Sequence, residues 1–119
     1  MTIQTKQGDY QTYDSSIMEW STTYAAFLCG DNPYTVINVP ENPQDLNILV
    51  LKDSFGNAFI PYLSEHYGNI YVVDTRYSAF NIKDLLGDVH FTDILFINNL
   101  EAACSPAWPT LYLKAVGVY

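Results

Sequence analysis

Ser54 is the residue in this chain best suited to nucleophilic chemistry. It lies in Leu49-Val50-Leu51-Lys52-Asp53-Ser54-Phe55-Gly56-Asn57, where an apolar run ends and passes through Asp-Ser toward Gly56 and Asn57. A short, continuous apolar run reads as a strand buried on both faces of a parallel sheet, with a helix to follow. In such sheets ligands bind outside the carboxyl ends of the strands, where the next helix aims its free amides. A serine there is presented to a ligand. Amides near Gly56 and Asn57 would stabilise the anionic oxygen of a tetrahedral acyl intermediate, and both residues let the backbone approach closely. The same residue types also cap helices, so Asp53 or Ser54 serves equally well as an N-cap on spacing alone.

Two further groups of polar residues are expected on the same sheet edge. Asp74, Thr75 and Arg76 follow the apolar run Ile70 to Val73, and Asn98, Asn99 and Glu101 follow Ile94 to Ile97. Read as function, Arg76 is an anion or substrate clamp and Asn99 donates a hydrogen bond to substrate or oxyanion. Read as structure, Asp74 and Arg76 form a local ion pair and the asparagines shape turns. Asp31 and Asn32, in an earlier turn, are weaker candidates of the same kind.

No histidine is expected on that edge to act as general base. The chain has two histidines, and topology places both at the opposite edge. A helix leaving Ser54 carries the chain away, so His66 falls roughly 15 Å off at ~1.5 Å per residue. His90 precedes the Ile94 run and so stands at the amino edge too. A general base must come within about 3 Å of the proton it takes. The nearest approach to an Asp-His pairing in the sequence is Asp88-Val89-His90.

The elements that position these residues follow from pattern. Thr2 to Lys6 and Tyr10 to Tyr13 flank Gly8-Asp9 and predict a polar surface β-hairpin. Ser16-Ile17-Met18-Glu19 has the spacing of a capping box, so a short helix begins there. Tyr24 to Leu28 reads as a strand, Gly30 to Pro33 as a turn, and Tyr34 to Val39 as a strand folding back on the first. Ile48 to Leu51, Ile70 to Val73 and Ile94 to Ile97 are the buried parallel strands. Between them a helix over about Asn57 to Tyr67 would stripe Phe59, Leu63 and Tyr67 and stop at Gly68 in a left-handed conformation. A second short helix over about Asn81 to Leu86 ends at Gly87. A terminal helix starts near Pro109, with Trp108, Leu111, Tyr112 and Ala115 at helical spacing. Strands alternating with helices give a three-layer α/β sandwich with a short, mostly parallel, flavodoxin-like sheet.

Composition limits the partners. The 119 residues are enough for one domain and too few for two. A formal charge of −8 with five scattered basic residues excludes a polyanionic partner such as nucleic acid or an anionic membrane surface. No apolar run reaches membrane-spanning length, and Met1 to Asp9 has no apolar core of a secretory signal. Cys29 and Cys104 match no metal-ligand spacing, so neither a metal nor another cofactor is expected, and the pair is compatible with a disulfide or with two thiols. The aromatic share of 15% builds either a heavy core or an aromatic-lined groove of the kind that stacks on sugar rings.

Four separated blocks carry a family resemblance. Phe27-Leu28-Cys29-Gly30-Asp31-Asn32-Pro33, Lys52-Asp53-Ser54-Phe55-Gly56-Asn57-Ala58-Phe59, Tyr71-Val72-Val73-Asp74-Thr75-Arg76-Tyr77 and Thr92-Asp93-Ile94-Leu95-Phe96-Ile97-Asn98-Asn99 occur in this order. From Tyr24 to Asn99 the chain resembles the C-terminal half of the bacterial DHHW family, itself similar to SGNH hydrolases and alginate O-acetyltransferase-like proteins. The resemblance implies that Ser54 is the nucleophile of an esterase or acyltransferase acting on carbohydrate at the cell envelope, outside the cytoplasm. The Asp-His-His-Trp motif that names the family, and would supply the base and its carboxylate, lies upstream of this half and is absent from the chain. Two functions therefore stand: the nucleophile-bearing, C-terminal portion of an SGNH-like acyl or acetyl esterase or transferase, inactive alone, or a non-catalytic flavodoxin-like binding or interaction module. An incomplete sheet with an open apolar edge would favour a homodimer or a complementing chain.

Overall fold

The computed structural model describes residues 2–5, 10–12, 28, 31–77 and 81–115. The three apolar runs form the parallel centre of the sheet: β4 (Asn47–Lys52), β5 (Asn69–Asp74) and β6 (Asp93–Ile97). Val50 of β4 stands beside Val72 on one side and Leu95 on the other. Their β-branched and aliphatic side chains suit a pleated surface packed on both faces.

The rest of the sheet is antiparallel, so the expected mostly parallel sheet is a mixed one. β3 (Tyr34–Asn38) pairs antiparallel with β5, β1 (Thr2–Thr5) with β3, and β2 (Tyr10–Thr12) with β1, giving the order β2-β1-β3-β5-β4-β6. The N-terminal hairpin exists, but it extends the sheet instead of lying apart on the surface. β3 likewise folds onto β1 and β5, not onto the segment before it: Leu28 stands in a turn, and residues 24–27 lie outside the described residues. So does the short helix expected at Ser16.

Each sheet face carries its own apolar cluster. Ile37, Ile48, Val50, Ile70 and Val72 pack with Leu28, Ile60 and Leu63 on one face, and Leu49, Leu51 and Val73 pack with Ile82 and Leu86 on the other. Tyr71 and Phe91 meet edge to face at 5.4 Å beside the second cluster. The second cluster stops short of β6, whose Ile94 and Phe96 remain 58% and 55% exposed. Among the described residues β6 is therefore an edge strand covered on one face, where its apolar composition predicts burial on both.

The helices are short. After β4 a 3-10 turn (Ser54–Ala58) leads to α1 (Ile60–Leu63), so the long helix expected to Tyr67 is replaced by two tight segments and a turn. Gly56 and Asn57 are weak helix formers, and Pro61 suits the first turn of a new helix. The buried stripe is Ile60 and Leu63, while Phe59 faces outward. Gly68 does not take a left-handed conformation; a Cβ there would collide with the Pro43 carbonyl oxygen, so close backbone approach is its reason. α2 (Ile82–Leu86) agrees with expectation: Asn81 caps it by accepting from the Lys83 amide, and Gly87 ends it at φ 62°. α3 (Leu100–Cys104) was not anticipated, whereas α4 (Trp108–Ala115) begins one residue before Pro109. Cys104 is a free, exposed thiol, and Cys29 lies outside the described residues.

Candidate active site at the carboxyl rim

Ser54 begins the 3-10 turn directly beyond the carboxyl end of β4, the strand flanked by β5 and β6. It lines a cavity of about 410 Å3 together with Asp31, Phe55 and Ala58. The rim is held by Asp53, which is buried and works in two directions. Its Oδ1 accepts from the Phe55 amide at 2.9 Å and caps the turn, while its Oδ2 accepts from the Asn99 amide at 2.8 Å. The Asp53 amide in turn donates to the Ile97 carbonyl at 3.2 Å. The N-cap role thus belongs to Asp53, and Ser54 is the next residue along. Asp53 also ties the loop after β4 to the loop after β6, which fixes the direction of the backbone at Ser54.

Beneath Ser54 lies a charged cluster of which sequence patterning offered only the Asp74–Arg76 pair. Lys52 is 1% exposed, and its ammonium sits 3.0 Å from Asp74 Oδ2 and 3.9 Å from Asp31 Oδ1. Arg76 binds Asp74 through Nε at 2.9 Å and Nη2 at 2.6 Å, and its Nη2 reaches Asp31 Oδ2 at 3.1 Å. The fifth residue to join is Asn57, whose Nδ2 donates to Asp31 Oδ1 at 2.7 Å. Two cations and two carboxylates balance, which is how charges are tolerated in a buried place. Burial pushes the Asp74 carboxyl up, but the Arg76 hydrogen bonds and the Lys52 charge outweigh it and hold the group below its ordinary value. Arg76 is correspondingly pushed above its ordinary value, chiefly by its hydrogen bonds to Asp74.

The sequence-predicted residues divide accordingly. Asp74 and Arg76 meet as an ion pair, and the Arg76 fork is spent on Asp74 and Asp31. Gly56 lies directly against the Lys52 stem, since a Cβ on it would come 2.8 Å from Lys52 Cβ; its amide donates to the Asp53 carbonyl at 3.1 Å. Asn57 is fully buried, with Oδ1 unbonded among the described residues. Asn99 caps α3 by accepting from the Ala102 amide at 2.7 Å. Asp31, the weaker candidate, proves central. It is carried to the cavity by a loop in which Leu28 adopts a φ of 54° and accepts a hydrogen bond from Asn32 Nδ2 at 3.1 Å. A lysine at a strand end ordinarily reads as solvated; the signal that it is not was Gly56 four residues on, which leaves room for its stem.

The histidines are at the far rim. Asn47, the first residue of β4, donates through Nδ2 to the His90 carbonyl, and the turn holding His66 leads to Gly68, whose amide donates to the Leu46 carbonyl. Both imidazoles are exposed. The six-residue strand between that rim and Ser54 spans about 17 Å at ~3.3 Å per residue. Among the described residues no group of His, Cys, Asp and Glu is arranged to hold a metal ion, and no helix is long and apolar enough to cross a membrane.

Known structures share this architecture. The chain is similar to a DHHW family protein from Eubacterium siraeum, at 25% identity and a TM-score of 0.67, over 93% of this chain and 38% of that one. It is also similar to PatB1 of Bacillus cereus, at 26% identity and a TM-score of 0.63, over 82% of this chain and 34% of that one. A second PatB1 structure, bearing a sulfonyl adduct, matches at 24% identity with a TM-score of 0.62, over 82% of this chain and 35% of that one. The chain spans little more than a third of the length of these proteins. No curated protein matches it. The model of the DHHW protein family matches residues 4–73, from the N-terminal hairpin through Ser54 to the end of β5, and the chain belongs to that family.

Proposed function

We propose that this chain is the nucleophile-bearing part of a larger three-layer, SGNH-like acyl or acetyl transferase or esterase acting on carbohydrate, with Ser54 as nucleophile. The observation that carries the reading is the placement of Ser54: at the end of the central parallel strand, on a cavity wall, with its backbone fixed by Asp53. PatB1, whose fold the chain shares, is an acetyltransferase, and one of its structures holds a sulfonyl adduct. In the proposed reaction Ser54 Oγ attacks the acyl carbonyl carbon as its proton passes to an imidazole, and the first alcohol leaves. A sugar hydroxyl or water then attacks the acyl-serine and regenerates Ser54. The imidazole and its orienting carboxylate come from outside this chain, because His66 and His90 stand a strand's length away.

Fluorophosphonate labelling tests this. The isolated chain is expected to label weakly or not at all at Ser54. A chimera in which this chain replaces the matching segment of the Eubacterium siraeum protein is expected to label at Ser54 and to lose the label in Ser54→Ala. Strong labelling of the isolated chain that disappears in His66→Ala or His90→Ala would overturn the proposal, as would a folded chimera whose Ser54 stays inert.

A further inference from the structure

Lys52 carries a charge where packing asks for none. It lies two residues before Ser54 on the strand between β5 and β6, in register with Asp74 of β5 and Ile97 of β6. Its side chain is buried, and a buried ammonium costs desolvation that a methionine of the same reach avoids. Gly56 closes over the stem: a Cβ there would lie 2.8 Å from Lys52 Cβ and 3.2 Å from its Cδ, so the turn that begins at Ser54 rests on this side chain. The ammonium links the cavity to β5. Nζ stands 3.0 Å from Asp74 Oδ2 and 3.9 Å from Asp31 Oδ1, and Asp31 lines the same cavity as Ser54. Arg76 already serves both carboxylates, bonding Asp74 through two nitrogens and reaching Asp31 through one. Without Lys52, one cation would face two carboxylates. The other charged group at this rim is Asp53, whose oxygens accept from the Phe55 and Asn99 amides; the loop after β6 brings Asn98 and Asn99, and Glu101 is exposed on α3.

We infer that Lys52 is a positioning residue for the Ser54 reaction: it cancels the second carboxylate of the cluster and so keeps the surroundings of the nucleophile electrically balanced. Excess negative charge there would act twice. It would oppose the anionic oxygen that forms when Ser54 attacks, and it would hold the imidazole in its protonated form, which accepts no proton. Both effects slow acylation, and both pass through Asp31, the carboxylate of the cluster that shares the cavity with Ser54. This inference rests on the proposed function for the role of Ser54 and adds to it the residue that sets the charge around it.

The test is the pH profile of fluorophosphonate labelling in the chimera with the Eubacterium siraeum protein. In that reaction Ser54 Oγ bonds to phosphorus, fluoride leaves and the proton passes to the imidazole, so the rate rises with pH through the imidazole midpoint. Lys52→Met keeps the stem and leaves the cluster one negative charge in excess. It is expected to raise the midpoint by about one pH unit, which slows labelling about tenfold at pH values below it. Asp31→Asn leaves one positive charge in excess and is expected to lower the midpoint by a similar amount. The double variant is balanced again, and its midpoint is expected to return to the wild-type position. Lys83→Met, which removes an exposed lysine on α2, is expected to leave the profile in place. A lysine that only supports the fold gives a different result, because misfolding lowers the labelled fraction without moving a midpoint. Where Lys52→Met fails to fold, Asp31→Asn and the double variant carry the same test. Unmoved midpoints, or single variants that shift it in the same direction, overturn the inference while Ser54 labelling stands. A wild-type chimera with an inert Ser54 overturns the nucleophile, and the role of Lys52 falls with it.

Discussion

The two rims of the parallel sheet are built from different chemistry. At the carboxyl rim, Lys52, Asp74, Arg76 and Asp31 crowd beneath Ser54 as a balanced set of charges, two of them fully buried. At the amino rim the corresponding layer across β3, β5 and β4 is uncharged amide, with one carboxylate beside it, Asp93 at the start of β6, which accepts from the Tyr67 hydroxyl at 3.0 Å. Asn38 donates to Asn69 Oδ1 at 2.8 Å and Asn69 donates to Asn47 Oδ1 at 2.9 Å, a chain of asparagines that crosses β3, β5 and β4 in register. Gln44 joins it through Asn38, and Asn42 ties the rim to the carbonyls of Ser64 and Tyr67. Amides satisfy backbone ends without placing charge, whereas fixed charges give a site its field and orientation at the cost of desolvation. The contrast implies that the rim bearing Ser54 responds to pH and charge-removing mutation, and the rim bearing the histidines responds mainly to packing.

The largest expected break is Asp74→Asn. Removing one partner of a buried ion pair typically costs about 3–5 kcal/mol, and the loss here falls toward the lower end because Asp31 stays near Lys52. Chemical denaturation at neutral pH measures it. The acid dependence has a definite sign. Asp74 is held below its ordinary value in the folded chain, so its ionised form contributes stability that is complete above the unfolded carboxylate value of about 3.9 and is lost as pH falls through the folded value. The gap between wild type and Asp74→Asn should therefore narrow on acidification. A gap that stays constant down to acid pH would mean that Asp74 acts by shape and not by charge.

Gly68→Ala comes next and acts at the amino rim. Its Cβ would meet the Pro43 carbonyl oxygen, a backbone atom with no freedom to swing aside, and forced overpacking typically costs about 1–3 kcal/mol. A melting temperature that drops equally at acid and neutral pH checks that the effect is steric. Asn69→Ala is expected to follow at about 1–2 kcal/mol, since it removes the middle of the amide chain and leaves Asn38 and Asn47 each short of a partner. Its penalty should also be flat with pH. If it instead grows as pH falls, the amino rim is coupled to the charged rim and the division drawn above fails.

How much of this could be read from residues alone follows the same division. β4, β5 and β6 were legible because unbroken apolar runs have few other uses, and α2 was legible because Asn81 and Gly87 mark both ends. Ser54 was legible as a presented residue because strand-to-helix transitions at the carboxyl edge have that geometry regardless of detail. The charged cluster was legible only in its Asp74–Arg76 pair. Lys52 and Asp31 lie 21 positions apart with a strand between them, and the local hint that Lys52 is buried, Gly56 four residues on, says nothing of its partners. The exposed face of β6 was missed for a related reason: composition reports that a strand wants cover, not that cover is present. The helix after Ser54 is shorter than its pattern because Phe59 and Tyr67 fit a helical stripe, while the tight turn over Lys52 leaves no room for a regular helix to start until Ile60.

The smallest expected effect is the one that tests the division of labour most directly. His66 and His90 are both exposed, and the polar contacts they make at the amino rim run through their backbone, which alanine retains. Replacing both by alanine should change stability by no more than about 0.5 kcal/mol, as for ordinary surface substitutions. In the chimera it should leave the rate of Ser54 labelling and its pH profile where they were. A general base works only within hydrogen-bond reach, so an imidazole at the wrong end of β4 has no route to the Ser54 proton in this fold. A labelling rate that falls with either histidine would require the chain to bring opposite rims of one strand together. That would displace the Asp53 tie and the Lys52 cluster along with it, and both rims would then have to be reassigned.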